Sequence, residues 1–207
     1  MSCGDQDRRK RSLETGVTFE AIVLAAGSGV RFGGGKLTAP YSGVPLLHAA
    51  LAVARAAPVR SLMVVTGAGA EAVSAAARAF DPAILIVHAA DHAEGMAASL
   101  RAGVAALTAD VGAVFLFLGD MPRVPIGVLE PLAEAIRCGA SAAAPIFQGQ
   151  RGHPVVLGRE LFAAAASLTG DTGARPLLAS LGARLALVEA SDDGVLFDVD
   201  RPADLRP

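Results

Sequence analysis

The 207-residue chain is poor in aromatic residues and has no excess of positive charge. It contains no Trp, one Tyr and eight Phe, and its formal net charge is −2 at pH 7. Proteins that bind nucleic acid usually present a basic surface, and those that bind single strands add aromatic side chains on which bases stack. Neither feature is present, so we expect small molecules or other proteins as partners and no nucleic acid.

Long apolar runs and cysteines are also scarce. A helix that spans a bilayer needs about 20 consecutive apolar residues, and no such run occurs, so no contact with a membrane is expected. Cys3 and Cys138 lack the spacing of metal ligands or of a disulfide framework, which fits a reducing cytoplasm. Residues 1–18 carry a basic cluster without the apolar segment of a secretory signal. We predict a flexible leader over 1–18 and a single domain over 19–207.

The chain does contain an apolar run that ends in a glycine-rich segment. Residues 21–26 are apolar throughout, and the nine residues 27–35 include five Gly. Arg31 and Lys36 are the charged residues here, and no acid stands beside them in the sequence. Glycine allows backbone N–H groups to approach a ligand closely, and Arg and Lys add positive charge. The pattern predicts a buried strand followed by a loop that binds a polyphosphate.

Two familiar phosphate loops do not fit this segment. The ATPase-type loop, GxxxxGK[ST], would need Gly at Val30 and Ser or Thr at Leu37. The dinucleotide fingerprint, GxGxxG, would need Gly at Phe32. The segment fits LAAGxGxR[FM]GxxK instead, and so resembles enzymes that transfer a nucleoside monophosphate from a nucleoside triphosphate to a phosphate.

Short apolar runs alternate with Ala-rich stretches of helical length. The runs span 61–66, 83–88, 113–118, 140–146, 154–157 and 185–189, and the Ala-rich stretches span 45–57, 69–79, 97–108 and 126–138. Such alternation is typical of βαβ units, and strands buried on both faces are uninterrupted apolar runs. We therefore predict an α/β fold with a mostly parallel sheet, which becomes less regular after residue 140.

Aspartates occur where a ligand of such a sheet would bind. Ligands of open α/β sheets lie beyond the carboxyl ends of the strands, and Asp120 directly follows a predicted strand. A carboxylate beside a phosphate loop suits Mg²⁺; the alternative is a turn cap before Pro122. Asp198 and Asp200 are two residues apart, so their side chains would share one face of an extended segment and one could complete a metal site. Alternatively, Asp200 or Arg201 begins the last helix.

Six segments together resemble one family. They are LAAGSGVRFGGGK (24–36), GMAASLRAG (95–103), LGDMPRV (118–124), RGHPVVL (151–157), GDTGAR (170–175) and DVDRPADL (198–205). In this order and spacing, from about residue 19 onward, the chain resembles the MobA-like nucleotidyltransferases, and among them the molybdenum cofactor cytidylyltransferases. The resemblance implies a Rossmann-like, three-layer α/β/α domain with Mg²⁺, or Mn²⁺ in its place, as cofactor.

The implied reaction transfers CMP from CTP to the phosphate of molybdopterin. The products would be pyrophosphate and molybdopterin cytosine dinucleotide, the latter destined for an apo-molybdoenzyme of the xanthine or CO dehydrogenase type. Ala26, where guanylyltransferase relatives tend to have Gly, would favour cytosine.

The same resemblance implies three groups of site residues. The implied catalytic residues are Arg31, Lys36 and Asp120, with Asp120 as the metal ligand, and Asp198 or Asp200 is the candidate that completes the metal site. The implied nucleotide-binding residues are Leu24, Ala25, Ala26, Gly27, Ser28, Gly29, Gly95 and Ser99. The implied acceptor-binding residues are Arg151, His153, Asp171 and Arg175. Structural roles stay open for His153 and Asp171, and we interpret His92 as a structural or surface residue, like His48 and His88.

The chain departs from the family pattern at a few positions. Gly29, Phe32, Ala89-Ala90, Arg201 and Ala203 stand where the family usually has Ser, Met, Asn-Pro, Thr and an acid. These departures touch no implied metal ligand, but they leave the substrates less certain than the reaction type.

Three other functions remain open from the sequence. One is a related transferase that uses GTP, or a sugar or polyol phosphate. Another is a carrier that binds the molybdenum cofactor without catalysis. The third is an NAD-binding oxidoreductase, against which the failed dinucleotide fingerprint argues.

Overall fold

The computed structural model describes residues 16–27 and 29–205. Within them the strands are β1 Phe19–Ala25, β2 Pro40–Tyr41, β3 Val44–Pro45, β4 Leu62–Thr66, β5 Leu85–His88, β6 Ala113–Leu118, β7 Ala142–Phe147, β8 Gln150–Arg151, β9 Val155–Gly158 and β10 Leu185–Glu189. The α-helices are α1 Leu46–Ala56, α2 Ala70–Phe80, α3 Met96–Ala105, α4 Leu129–Arg137, α5 Phe162–Ala165 and α6 Arg175–Ala179. Short 3-10 helices cover Val30–Phe32, Lys36–Thr38, His92–Glu94, Ile126–Val128, Arg159–Leu161, Gly182–Arg184, Asp193–Val195 and Pro202–Leu205.

One eight-stranded sheet forms the centre of the molecule. Its order is β10-β7-β9-β6-β1-β4-β5, with β8 paired to β7, while β2 and β3 form a separate pair. β1 runs parallel to both β4 and β6, and β4–β5 and β7–β10 are also parallel pairs. β9 runs antiparallel to β6 and β7, between which it lies. The predicted α/β fold with a mostly parallel sheet is confirmed.

The central strands are uninterrupted apolar runs because both faces of the sheet are covered. In β1, Ala21 and Val23 pack in a core with α1, α2 and α4. Ile22, between them, packs on the opposite face with α3, α5 and α6. Each of the three is 0% exposed, since successive side chains of a strand point to opposite faces. The result is a three-layer α/β/α arrangement.

Element boundaries differ from the sequence prediction by a few residues. The run 83–88 begins as a strand only at Leu85, because Ile84 N donates to Asp81 O in a turn. The stretch 126–138 starts as a 3-10 helix and becomes α-helical at Leu129. Most of the predicted leader, residues 1–15, lies outside the described residues. None of the helices in the described part of the chain is long and apolar enough to cross a membrane.

Candidate active site

The loops that follow β1, β5 and β6 border a cavity of about 610 Å³ at the carboxyl edge of the sheet. Among the residues that line it are six that the sequence analysis assigned to the nucleotide or metal: Leu24, Ala26, Gly27, Gly95, Ser99 and Asp120. Ala25 instead packs in the core, and Gly29 lies outside the lining. Ser28 lies outside the described residues. The volume is in the range of small-molecule sites.

Glycine conformations set the path of the chain into Lys36, which is not part of the cavity lining but contacts Asp120, which is. Gly33, Gly34 and Gly35 have φ values of 92°, 91° and 65°, a region in which other residues are strained. The short helix Lys36–Thr38 begins directly after Gly35. This geometry requires the glycine run and returns the chain to the sheet edge at Lys36.

The fold brings acids to both cations of the loop, although the sequence places none beside them. Lys36 Nζ lies 2.6 Å from Asp120 Oδ2 and 3.9 Å from Asp200 Oδ1. Arg31 Nη1 donates to Asp200 Oδ2 at 2.9 Å. The Lys36 and Asp120 side chains are only 14% and 23% exposed, whereas that of Arg31 is 79% exposed. Each cation therefore has a carboxylate partner with which a phosphate must compete.

The two aspartates near the end of the chain lie beside Asp120. Val199 N donates to Asp120 O at 3.0 Å, which holds this segment against the loop after β6. Val199 is 0% exposed and the aspartates on either side of it are not buried. Partial burial, together with the carboxylates of Asp120 and Asp200, raises the pKa of Asp198 above its ordinary value.

Asp200 and Arg201 directly precede the last short helix, as the alternative to a metal-binding role for Asp200 predicts. Pro202–Leu205 forms a 3-10 helix. The backbone N–H groups of Asp200 and Arg201 both donate to the Asp204 carboxylate, at 3.1 and 2.8 Å. The turn therefore fixes Asp200 at its start, and this structural role is compatible with a ligand role for the same side chain.

The aspartates have the donor chemistry that a hard divalent cation needs. In the described part of the chain, no group of three or more His, Cys, Asp or Glu side chains forms a ready metal site. Mg²⁺, however, needs only one or two carboxylates when phosphate oxygens and water complete its coordination. The mutual repulsion that raises the pKa of Asp198 would fall when a cation binds. The residues fit a cation that arrives with a nucleotide.

A second cavity, of about 660 Å³, adjoins the first. Arg151, His153, Asp171 and Arg175, the four residues assigned to the acceptor, all line it, as does Asp198. The two cavities have Met96, Leu118 and Asp171 in common. Asp120 on the first and Asp198 on the second are close enough to influence each other's charge. The two cavities therefore adjoin, with one of these aspartates in the lining of each.

His153 enters the second cavity as a neutral side chain. Burial lowers its pKa below the ordinary value, against the opposing effect of a hydrogen bond with the main chain of Leu116. Its Nδ1 is buried and has no hydrogen-bond partner among the described residues. His153 N donates to Val195 O at 2.9 Å, which fixes the residue in the loop before β9. The ring therefore adds no positive charge to the cavity, and its unpaired nitrogen is shielded from solvent.

Asp171 links the loop before α6 to the start of α3. Its Oδ1 accepts a hydrogen bond from Met96 N at 3.1 Å. Gly95, with φ +115°, permits this contact, since a Cβ there would lie 2.7 Å from Gly170 O. Asp171 thus has a structural role, one of the two roles left open, while its side chain also borders both cavities.

The structure places one further histidine at the first cavity. His92, for which the sequence indicates a structural or surface role, lines this cavity, and this position is compatible with that role. His92 belongs to no motif. Its position shortly after β5, at the same edge of the sheet as the glycine loop, is the feature of the sequence that could have indicated its place at the cavity.

Comparisons with known proteins identify the family of the chain. The family model for the MobA-like NTP transferase domain matches residues 21–186. Nicotine blue oxidoreductase of Paenarthrobacter nicotinovorans is 33% identical over 187 residues, or 86% of this chain and 90% of that protein. Molybdenum cofactor cytidylyltransferase of Escherichia coli K12 is 27% identical over 186 residues, or 90% of this chain and 93% of that protein.

Similar crystal structures are known. Rv0371c from Mycobacterium tuberculosis H37Rv superposes with a TM-score of 0.80 at 32% identity, over 92% of this chain and 96% of that one. Its complex with manganese superposes with a TM-score of 0.71 at 28% identity, over 85% and 89% of the two chains. The family match, the fold and the glycine loop with its acidic partners lead to one conclusion: the chain belongs to the MobA-like NTP transferase family.

Proposed function

We propose that the chain transfers CMP from CTP to the phosphate of molybdopterin in its metal-bound form. The observation that carries this proposal is the pair of adjoining cavities, one beside the cationic glycine loop and lined by Asp120, the other lined by Arg151, Arg175 and Asp198, which share Met96, Leu118 and Asp171. The 27% identity to the Escherichia coli cytidylyltransferase supports the choice of substrates.

The reaction is a displacement at the α-phosphorus of CTP. An oxygen of the acceptor phosphate forms a bond to that phosphorus while the bond to the bridging α–β oxygen breaks, and pyrophosphate leaves with the electron pair. The second pKa of a phosphate monoester is about 6, so the attacking oxygen is already ionised near neutral pH. A general base is therefore not required, and positioning with charge stabilisation is sufficient.

Lys36 and Arg31 exchange partners when the nucleotide binds. In the structure they pair with Asp120 and Asp200, and phosphate oxygens would replace those carboxylates. Asp120, with Asp198 or Asp200, would then hold Mg²⁺ or Mn²⁺, which would neutralise charge on the triphosphate and orient the leaving pyrophosphate. The released carboxylates and the released cations thus each gain a new partner of opposite charge.

The second cavity would hold the acceptor. Arg151 and Arg175 supply positive charge for its anionic groups, while neutral His153 lies beside them in the lining. The resulting dinucleotide would pass to an apo-molybdoenzyme of the xanthine or CO dehydrogenase type.

Formation of the labelled dinucleotide from [α-³²P]CTP and molybdenum-loaded molybdopterin tests the proposal. We expect product with the wild-type protein and Mg²⁺, and none with Asp120→Ala. Glu71→Ala removes an exposed carboxylate on α2 that lines neither cavity, and serves as the matched control. Near-normal activity of a folded Asp120→Ala protein would contradict the metal assignment.

A second candidate function is favoured by one observation, the 33% identity to nicotine blue oxidoreductase. An oxidoreductase would bind a nicotinamide dinucleotide and would turn over without a nucleoside triphosphate. Titration of the protein with NADH and NADPH, followed by fluorescence, distinguishes the two candidates. Because the glycine loop lacks the dinucleotide fingerprint, we expect no saturable binding of either.

A further inference from the structure

His92 forms one corner of the nucleotide cavity together with residues from two neighbouring loops. Ala26 follows β1, Gly67 follows β4 and His92 follows β5, so three adjacent parallel strands end here. A Cβ at Gly67 would lie 2.6 Å from His92 Cγ and 2.8 Å from Ala26 Cβ. Gly67 therefore lets the imidazole ring approach Ala26 and reach the cavity that both side chains line.

The tautomer of this ring follows from its contact with the main chain. His92 Nδ1 lies 3.1 Å from Ala89 O. A carbonyl oxygen only accepts hydrogen bonds, so Nδ1 must carry the hydrogen, and in the neutral ring Nε2 then has a free lone pair. The described residues provide no hydrogen-bond partner for Nε2. The corner therefore presents a hydrogen-bond acceptor to a ligand.

This corner suits a base better than a phosphate. Ala26 and Gly67 are uncharged, and the charged groups associated with the phosphate loop, Lys36 and Asp120, pair with each other. Bases differ in what they would present to an acceptor: cytosine carries an exocyclic amino group, a donor, where uracil carries a carbonyl oxygen. Two acceptors facing each other would leave both unpaired, which is unfavourable in a half-buried site.

We propose that His92 selects the nucleotide by accepting a hydrogen bond from an exocyclic amino group of the base, and so favours CTP over UTP. The inference rests on the proposed function, because it requires the first cavity to bind a nucleoside triphosphate. It assigns the choice of pyrimidine to a side chain outside the glycine loop.

Two variants separate hydrogen bonding from packing. His92→Phe keeps an aromatic ring between Gly67 and Ala26 but removes both nitrogens. His92→Gln offers an amide that can accept from cytosine or, after rotation, donate to uracil. His88→Phe is the matched control, because the His88 ring lies 6.1 Å from that of His92 but does not line the cavity. Thermal unfolding of each variant checks that it folds.

Calorimetric titration with CTP and UTP in the presence of Mg²⁺ gives the readout. We expect the wild-type protein and His88→Phe to bind CTP about 10- to 100-fold more tightly than UTP, as one mismatched buried hydrogen bond would cause. In His92→Phe the ratio falls toward one through loss of CTP affinity, and in His92→Gln it falls through a gain in UTP affinity.

The possible failures are distinguishable. Equal binding of CTP and UTP by the wild-type protein would overturn the role of His92, and so would a wild-type CTP/UTP ratio in a folded His92→Phe protein. Neither result would contradict nucleotidyl transfer. An equal loss of CTP and UTP affinity in His92→Phe, with no gain for UTP in His92→Gln, would reduce His92 to a packing role and also overturn it. A wild-type protein that binds no nucleoside triphosphate overturns the proposed function and this inference with it.

Discussion

Removing the charge of Lys36 should have opposite effects on metal binding and on catalysis. In Lys36→Met the aliphatic length is kept and the ammonium group, 2.6 Å from Asp120 Oδ2 and 3.9 Å from Asp200 Oδ1, is lost. A divalent cation then meets these carboxylates without a competitor. The nucleotide, in contrast, loses a cation that would otherwise bind its phosphates.

The structure sets the size of the first effect. At 2.6 Å, Coulomb's law gives a gross attraction of about 6 kcal/mol between Lys36 and Asp120 with an effective dielectric constant of about 20. Desolvation of both groups and their remaining contact with solvent reduce the net value to about 1–2 kcal/mol. Mn²⁺ affinity without nucleotide should therefore rise about 5- to 30-fold. Turnover should fall about 10²- to 10³-fold, the usual cost of losing one charge-stabilising group.

Electron paramagnetic resonance of free Mn²⁺ measures the affinity, and pyrophosphate release measures turnover. Lys36→Arg keeps the charge and controls for it. If Lys36→Met bound Mn²⁺ no more tightly than the wild-type protein, Lys36 would not compete with a cation for Asp120, and the exchange of partners on nucleotide binding would be refuted.

Two further predictions concern stability. Gly95→Ala should lower the unfolding free energy by about 1–3 kcal/mol, through backbone strain and through overlap of the new Cβ with the backbone of Gly170. Gly139→Ala is the control for backbone strain alone, because Gly139 has φ +96° and open space around it. Equal melting temperatures for the two variants would exclude a role for the overlap. Hydrogen bonds from Arg60 and Thr108 hold the pKa of the Asp110 carboxyl well below its ordinary value. Asp110 should therefore stabilise the fold above its unfolded pKa of about 3.9. This contribution should be lost as the pH falls below that value. The melting temperatures of wild type and Asp110→Asn should thus differ at pH 7 and converge below about pH 4; a difference that stays constant down to pH 3 would contradict this.

The sequence predicted those features that depend on local pattern. Burial on both faces restricts the strand Phe19–Ala25 largely to apolar residues, and positive φ angles in the following loop favour glycine. Both elements were therefore recognisable from the sequence. The position of Asp120 beside the loop followed from the rule that ligands bind beyond the carboxyl ends of strands. The assignment of Arg151 and Arg175 to an acceptor came from family resemblance alone, and it stays a prediction.

Features that depend on contacts between distant residues were not predictable. The apolar run that becomes β9 indicates a strand, but it does not indicate that this strand runs antiparallel between β6 and β7. The pairs Lys36–Asp120 and Arg31–Asp200 join residues 84 and 169 positions apart, so the sequence placed Asp120 near the loop but did not show that each cation of the loop is paired with a carboxylate. The position of His92 beside Ala26 and Gly67 was not predictable for the same reason, because only the folded chain brings these residues together.

The most direct test of the account is pyrophosphate release from each of the four nucleoside triphosphates with Mg²⁺, with and without molybdenum-loaded molybdopterin. We predict release from CTP that requires the pterin, and little from ATP, GTP or UTP. Release from GTP in preference to CTP would keep the reaction and change the substrate. No release from any nucleotide, despite binding of the pterin, would contradict nucleotidyl transfer and make the protein a carrier of the cofactor.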